Sequence, residues 1–355
     1  MRASVRRARA ASSVPMDNTA SQSASSHPVF RRILLLLLAF VLILAAAGFF
    51  YENISEALDR RFNPMEGQLV DVGERKMHID CTGDGNPTVI LDSGLGESYL
   101  SWRKVQPQIA KFTRVCSYDR AGLGYSDLSP RPRTSKVIAE ELHALLQAAS
   151  VPPPYVIVGH SMGGYDVRVY TSLYRNEIVG MVLVDASHPD QESRFPPELK
   201  NMEGSWNREA QFIAFTMPFG IPRLLGLCDD NPVTRAADCN WHTAREQLAE
   251  MRAFPESAAE TAPTGSLSDV PLAVLSHDPD KPSSDLPPDL AKPVNEAWEK
   301  MQEELAHLST RGTQTIARNS GHYIQIDRPD VVIEAVHKVV EQARQSQLQS
   351  APPNH

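Results

Sequence analysis

The chain has only four cysteines in 355 residues, and no two of them form a C-x-x-C pair. A zinc ribbon or a thioredoxin-type redox motif therefore has little support. Basic residues are outnumbered by acidic ones beyond the N-terminus: residues 1–32 hold six arginines against Asp17 alone, while the whole chain carries a formal net charge of −8. The chain beyond residue 32 is strongly acidic and lacks the clustered Lys and Arg that phosphate contacts need, which argues against a nucleic-acid partner. Internal repeats are missing as well, so repeat architectures do not apply.

Charge is also absent from ILLLLLAFVLILAAAGFFY, the run between Arg32 and Glu52. About 19 residues rising roughly 1.5 Å each span about 28 Å, close to the hydrocarbon thickness of a bilayer. This predicts a transmembrane anchor over residues 31–51, meeting the lipid bilayer through residues 33–51. The arginines before it place the N-terminus in the cytoplasm and export the rest. The alternative is a signal peptide cleaved near Ala45-Ala46-Ala47, with a start at Met16 giving a shorter leader. Residues 1–30 read as a disordered basic tail, 52–66 as a polar linker that could be helical, and 346–355 as a disordered tail. Apolar residues at 42% and charged residues at 22% suit an ordinary globular domain over 67–345. In an exported chain, Cys228 and Cys239 flank the turn-rich DDNPVTRAAD and could close a small disulfide loop. Cys81 and Cys116 fall in two separate strand segments and are either a second disulfide or buried thiols. Nothing in the sequence sets the oligomeric state.

Apolar periodicity organises the rest. QLVDV (68–72) and RKMHIDC (75–81), parted by Gly73-Glu74, predict a hairpin. PTVILDSG (87–94) and RVCSYDRAG (114–122) read as buried strands, with a short helix between them. SKVIAEELHALLQAA (135–149) predicts a helix, PYVIVGH (154–160) a strand, GGYDVRVYTSLYR (163–175) a helix and IVGMVLVDA (178–186) a strand. This alternation predicts an α/β fold with a mostly parallel sheet covered on both faces. It stops at residues 187–268, which read as an inserted helical cap, and resumes with PLAVLS (271–276), VNEAWEKMQEELAHL (294–308), TQTIAR (313–318) and PDVVIEAVHKVVEQARQ (329–345). The apolar cap segment 212–227 lines an acyl pocket, lies against the bilayer, or packs the cap on the core.

Within this pattern, VGHSMGG (158–164) joins a strand to a helix through G-x-S-x-G. That context makes it a nucleophile elbow: a sharp turn lifts the Ser161 hydroxyl above the sheet edge, and small neighbours avoid clashes. Amides at the helix start, Met162 first, point to where a developing oxyanion would sit.

Together with LDSGLGES (91–98), RVCSYDRAGLGYSD (114–127), LVDASHPDQ (183–191) and NSGHYIQIDRPD (319–330), the elbow resembles the α/β-hydrolase superfamily, and more narrowly membrane-tethered bacterial serine hydrolases. The resemblance implies an eight-stranded sheet with a cap after the sixth strand, and chemistry without metal or cofactor. It makes Ser161 the nucleophile and His322, in the turn after the last strand, the general base. The second oxyanion amide falls to Leu95, although Ser93-Gly94 stands where relatives carry His-Gly. The acid is expected after the seventh strand, at Asp280 or its neighbour Asp278, with Asp185 at the end of the sixth strand as the third candidate. His160, His277 and His188 are weak candidates for the base. Asp119-Arg120 and Asp127 read as loop-ordering ion pairs. The activity so implied is carboxylic-ester hydrolysis through an acyl-enzyme. An aminopeptidase or amidase is the near alternative, with Asp229, Asp230 or Glu203 holding an amine. A silent binding protein on the same scaffold is the distant one.

Overall fold

The computed structural model describes residues 28–281 and 286–350; of the tails expected at 1–30 and 346–355, residues 1–27 and 351–355 lie outside them. The chain divides into two compact units between Ala46 and Ala47. The first contributes helical residues 28–46, of which 29–46 are almost wholly exposed. Their helix, α1 (Pro28–Phe62), is long and apolar enough to cross a membrane by length and composition. It does not stop where a linker is expected at residue 52, because ENISEALDRRF contains helix formers and no Gly or Pro before Pro64.

In the second unit, β1 (Gln68–Asp71) and β2 (Lys76–Thr82) form the expected hairpin, with Asp71 opposite Lys76. Next come β3 (Thr88–Asp92), the short α2 (Gln106–Ile109), β4 (Val115–Tyr118), α3 (Ser135–Ala148), β5 (Tyr155–His160), α4 (Gly163–Leu173) and β6 (Ile178–Val184). The cap is built from α5 (Gln191–Arg194), α6 (Leu199–Thr216), α7 (Ile221–Leu224), α8 (Pro232–Asp238) and α9 (Trp241–Thr261). The chain closes with β7 (Leu272–His277), α10 (Pro288–Ala306), β8 (Gly312–Ala317), α11 (Ile324–Asp327) and α12 (Pro329–Ser350). The last helix passes residue 345, where a tail is expected, because QSQLQS contains no helix breaker.

The eight strands form one sheet in the order β1-β2-β4-β3-β5-β6-β7-β8, parallel from β4 onward. β3 and β5 are buried along their whole length. Their continuous apolar runs can only be satisfied with helices on both faces, each buried Val, Ile or Leu contributing about 1.5–3 kcal/mol. Leu142, Leu145 and Tyr170 from α3 and α4 pack one face, while Ile109, Val336 and Val340 from α2 and α12 pack the other. Cys81 and Cys116 are direct partners across β2 and β4 and are joined by a disulfide, as are Cys228 and Cys239 in the cap. Because the central strands run in parallel, the residues just past β5, β6, β7 and β8 all gather at one edge, the usual ligand edge of such sheets.

Candidate active site

Ser161 follows β5 directly and has φ +52°, in the left-handed region that ordinary side chains avoid at a cost of roughly 1–2 kcal/mol. The turn is held in place. The Ser161 amide donates to the Val184 carbonyl (3.2 Å), and its carbonyl accepts from the amides of Gly164 and Ser187, both at 2.9 Å. Its glycines are needed for close packing: a Cβ on Gly159 would stand 2.5 Å from the Gly163 carbonyl oxygen, and one on Gly163 would stand 2.6 Å from that of Ser93.

Asp185 sits at the corresponding bend after β6, also with positive φ (+44°), and is fully buried. His322 Nδ1 lies 2.7 Å from Asp185 Oδ2. The same carboxylate accepts from the His277 amide (2.9 Å), meets His277 Nδ1 (2.9 Å) and accepts from Trp298 Nε1 (2.9 Å). Burial opposes charge on Asp185, but the hydrogen bonds from His277 and His322 prevail and hold its carboxyl well below the usual carboxylate range. Burial likewise works against the cationic form of His277, and its bond to Asp185 outweighs this, raising its pKa.

Neither primary candidate for the acid reaches the histidine. Asp280 is exposed and its partner is Arg318, at 3.4 Å. Asp278 accepts from the Asn319 amide (2.8 Å) and from Arg318 (2.9 Å), bracing the segment that leads out of β8. The cause is the end of β7. There the Asp278 amide bonds back to the Ser320 carbonyl, which turns Asp278 and Asp280 toward the 318–320 loop and leaves His277 facing the site. The third candidate, Asp185, is the carboxylate that meets His322.

Leu95 and Met162 flank the serine. Leu95 packs with Phe254 against buried Met162, and among the described backbone hydrogen bonds neither residue's amide has a carbonyl partner. The Leu95 loop is anchored from two sides. Buried Arg120 donates to the Ser93 carbonyl (2.7 Å), the Gly94 carbonyl (2.6 Å), Asp92 (3.0 Å) and Glu250 of α9 (2.7 Å), and Glu250 in turn accepts from the Gly96 amide (2.8 Å). Glu97 accepts from the Gly94 amide and pairs with His160, whose Nε2 lies 3.1 Å from the His322 carbonyl oxygen. Burial disfavours charge on both partners, yet the pairing lowers the pKa of Glu97 and raises that of His160. Glu250 and Glu97 are the site residues that sequence patterns miss. A Glu lying within a cap helix has no local signal, though Glu97 inside the GLGES loop offers one. Asp119 accepts from the Tyr99 and Tyr125 amides, and Asp127 from the Lys76 amide, so both order loops. His188 has its Nδ1 3.1 Å from the Asp190 amide.

Ser161, His322 and Asp185 line one cavity of about 490 Å³. Its walls are mainly apolar, with Phe195, Leu199, Trp206, Phe254, Val294 and Trp298 prominent, and Asp185 is the single carboxylate among its described lining residues. Asp229 lines a separate cleft beside Cys228 and Cys239. Asp230 is exposed and absent from the serine cavity, and the side chain of Glu203 lies outside the described residues. Among the described residues, no group of three or more His, Cys, Asp or Glu is placed to hold a metal ion.

The profile of the Alpha/beta hydrolase family matches residues 89–335. YqjL of Bacillus subtilis is 27% identical over 258 residues, covering 72% of this chain and 85% of that protein. The efuK protein of Hormonema carpetanum is 33% identical over 136 residues, a match covering 36% of this chain and 20% of efuK's own length. Among solved structures, a thermophilic esterase from Thermogutta terrifontis superposes with a TM-score of 0.55 at 20% identity, covering 79% of this chain and 99% of the esterase. At that identity the likeness is one of fold.

Proposed function

The chain belongs to the alpha/beta hydrolase family, and from that premise we propose that it is a serine hydrolase that cleaves a carboxylic ester through an acyl-enzyme on Ser161. The observation that carries this reading is the 2.7 Å contact of His322 Nδ1 with buried Asp185, at a cavity that also holds Ser161 on its strained turn. A serine hydroxyl is a weak nucleophile at its own pKa and needs a base that is itself oriented. Asp185 fixes the tautomer of His322 with the proton on Nδ1, so Nε2 is the nitrogen that accepts the Ser161 proton. Ser161 Oγ bonds to the ester carbonyl carbon while the amides of Leu95 and Met162 hold the oxyanion. Collapse of that intermediate breaks the bond to the alcohol, which leaves with the proton from His322. Water then attacks the acyl-enzyme by the same route and releases the acid, with Ser161 reprotonated.

The ester reading is favoured over an aminopeptidase because Asp185 is already committed to His277, His322 and Trp298, leaving no described carboxylate on the cavity wall for a substrate ammonium. The apolar walls suit an acyl or aryl group. Two disulfides and the apolar α1 support a membrane-anchored protein with an exported catalytic unit, since such bonds persist in oxidising compartments. A fluorophosphonate probe tests the chemistry: the full-length protein is expected to label, and Ser161→Ala to abolish both labelling and hydrolysis of a chromogenic ester. A folded wild-type protein that neither labels nor turns over would leave a binding role instead.

A further inference from the structure

We propose that the α6–α7 edge of the cap docks on the lipid bilayer beside the last turns of α1, making the bilayer surface a second contact of the globular unit. The inference rests on the reading of α1 as a membrane span. Its uncharged run ends at Tyr51, and residues 47–62 belong to the globular unit. There α1 is seated on the cap. Glu52, only 1% exposed, and Asp59 both accept from Arg223 of α7, at 3.0 and 2.6 Å. The Tyr51 ring lies so close to Gly220 that a Cβ there would stand 2.7 Å from it, and Gly48 backs onto the Phe219 carbonyl with no room for a methyl group. The loop 219–223 is therefore fixed at the level where the apolar run leaves the bilayer.

At this level two segments far apart in sequence expose large apolar side chains. Phe215 (75% exposed), Leu224 (67%) and Leu225 (62%) come from the cap, and Phe50 and Ile54 from α1. Large apolar side chains exposed on both sides of the Gly48–Phe219 and Tyr51–Gly220 contacts would be a liability on a soluble face, and they call for a partner. Continuity with a membrane-spanning run selects the bilayer, into whose headgroup and acyl boundary Phe and Leu side chains partition. The same helix that ends in Phe212 and Phe215 begins with Leu199 and Trp206 on the wall of the serine cavity. The helix thus reaches from the exposed apolar edge to the wall of the serine cavity.

Every cysteine in the described structure is disulfide-bonded, so one introduced thiol reports on one place. In full-length protein, Phe215→Cys, Leu225→Cys, Leu42→Cys and Lys338→Cys would each carry an environment-sensitive fluorophore. The samples would be reconstituted in phosphatidylcholine–phosphatidylglycerol vesicles with and without acyl-brominated lipid. Leu42 probes the apolar run, and Lys338 is an exposed residue of α12, the helix packed on the sheet. The expected result is blue-shifted emission at 215 and 225 that loses most of its intensity to brominated lipid, with neither effect at 338. Water-like emission at 215 and 225 with quenching at 42 would overturn the docking and leave the anchor intact. Absence of quenching at 42 would overturn the anchor and the docking together. Blue-shifted but unquenched labels at 215 and 225 would assign the patch to a second copy of the chain, again against the proposal.

Discussion

Replacing Asp185 by Asn gives the sharpest test of the catalytic reading, because shape is kept while the oxygen that faces both histidine rings becomes a donor. Asp185 Oδ1 accepts from the His277 amide and from Trp298 Nε1, and an asparagine oxygen can keep both bonds. The other oxygen meets His322 Nδ1 at 2.7 Å and His277 Nδ1 at 2.9 Å, and an amide NH2 in its place is a donor. His322 would then carry its proton on Nε2 and could not take one from Ser161. Loss of the correct tautomer in a serine triad costs up to about 10⁴ in kcat, and a residual supporting role would leave about 10², or roughly 3–5.5 kcal/mol of barrier. Burial of a mispaired donor adds about 1–3 kcal/mol of lost stability. The pH dependence has a definite sign. The folded-state pKa of Asp185 is depressed below that of the unfolded chain, near 3.9, so its stabilisation is complete above that value and disappears as pH falls through the folded value. The gap in Tm between wild type and Asp185→Asn should therefore be widest above about pH 5 and narrow on acidification. The assay is kcat on a chromogenic ester beside thermal unfolding, with Asp280→Asn, an exposed carboxylate, as comparison. Wild-type turnover in Asp185→Asn, or a loss of orders of magnitude in Asp280→Asn instead, would refute the assignment.

Glu250→Gln removes the charge that Arg120 and the Gly96 amide share. With both partners buried, a loss of about 3–5 kcal/mol of stability is expected if the pair breaks outright, and kcat should fall more than KM rises because the Leu95 loop loosens. Gly163→Ala places a methyl 2.6 Å from the Ser93 carbonyl, and Gly204→Ala in α6 meets only Arg208 Nη1 at 3.7 Å. Differential scanning fluorimetry should show the first destabilised by about 1–3 kcal/mol and the second unchanged or stabilised by up to about 1 kcal/mol. His277→Gln keeps a donor near Asp185 and leaves His322 its partner, so kcat should change less than about tenfold, far less than in Asp185→Asn. Because the His277 pKa is raised on folding, its own contribution to stability is full below its unfolded value near 6.5 and is lost as pH rises through the folded one. The variant should match wild type most closely at high pH.

What is legible in the sequence is what short stretches encode. V-I-L-D and Y-V-I-V-G-H need burial on both faces whatever surrounds them, and the glycines around Ser161 answer to a turn only a few residues long. The helix ends at Phe62 and Ser350 are harder to read, because their polar composition resembles irregular chain although neither stretch contains a breaker. The acid is illegible for a different reason. Which carboxylate meets His322 depends on how β6 lies against β7, and Asp185 and His277 are 92 residues apart. Counting from the strand end favours Asp280, but one hydrogen bond from Asp278 to Ser320 turns that loop away. The same limit hides the cap's hold on the core, since Arg120 and Glu250 are 130 residues apart and nothing local marks Glu250 as the partner of Arg120. Their pairing bears on how substrate enters. Glu250 ties α9 to the very loop that holds the Leu95 amide, so this side of the cap cannot lift without disturbing the site. At the α5 end the cap is bridged as well, Arg194 pairing with Glu304 of α10 at 2.6 Å, while Phe195, Leu199 and Trp206 line the cavity between these two ties.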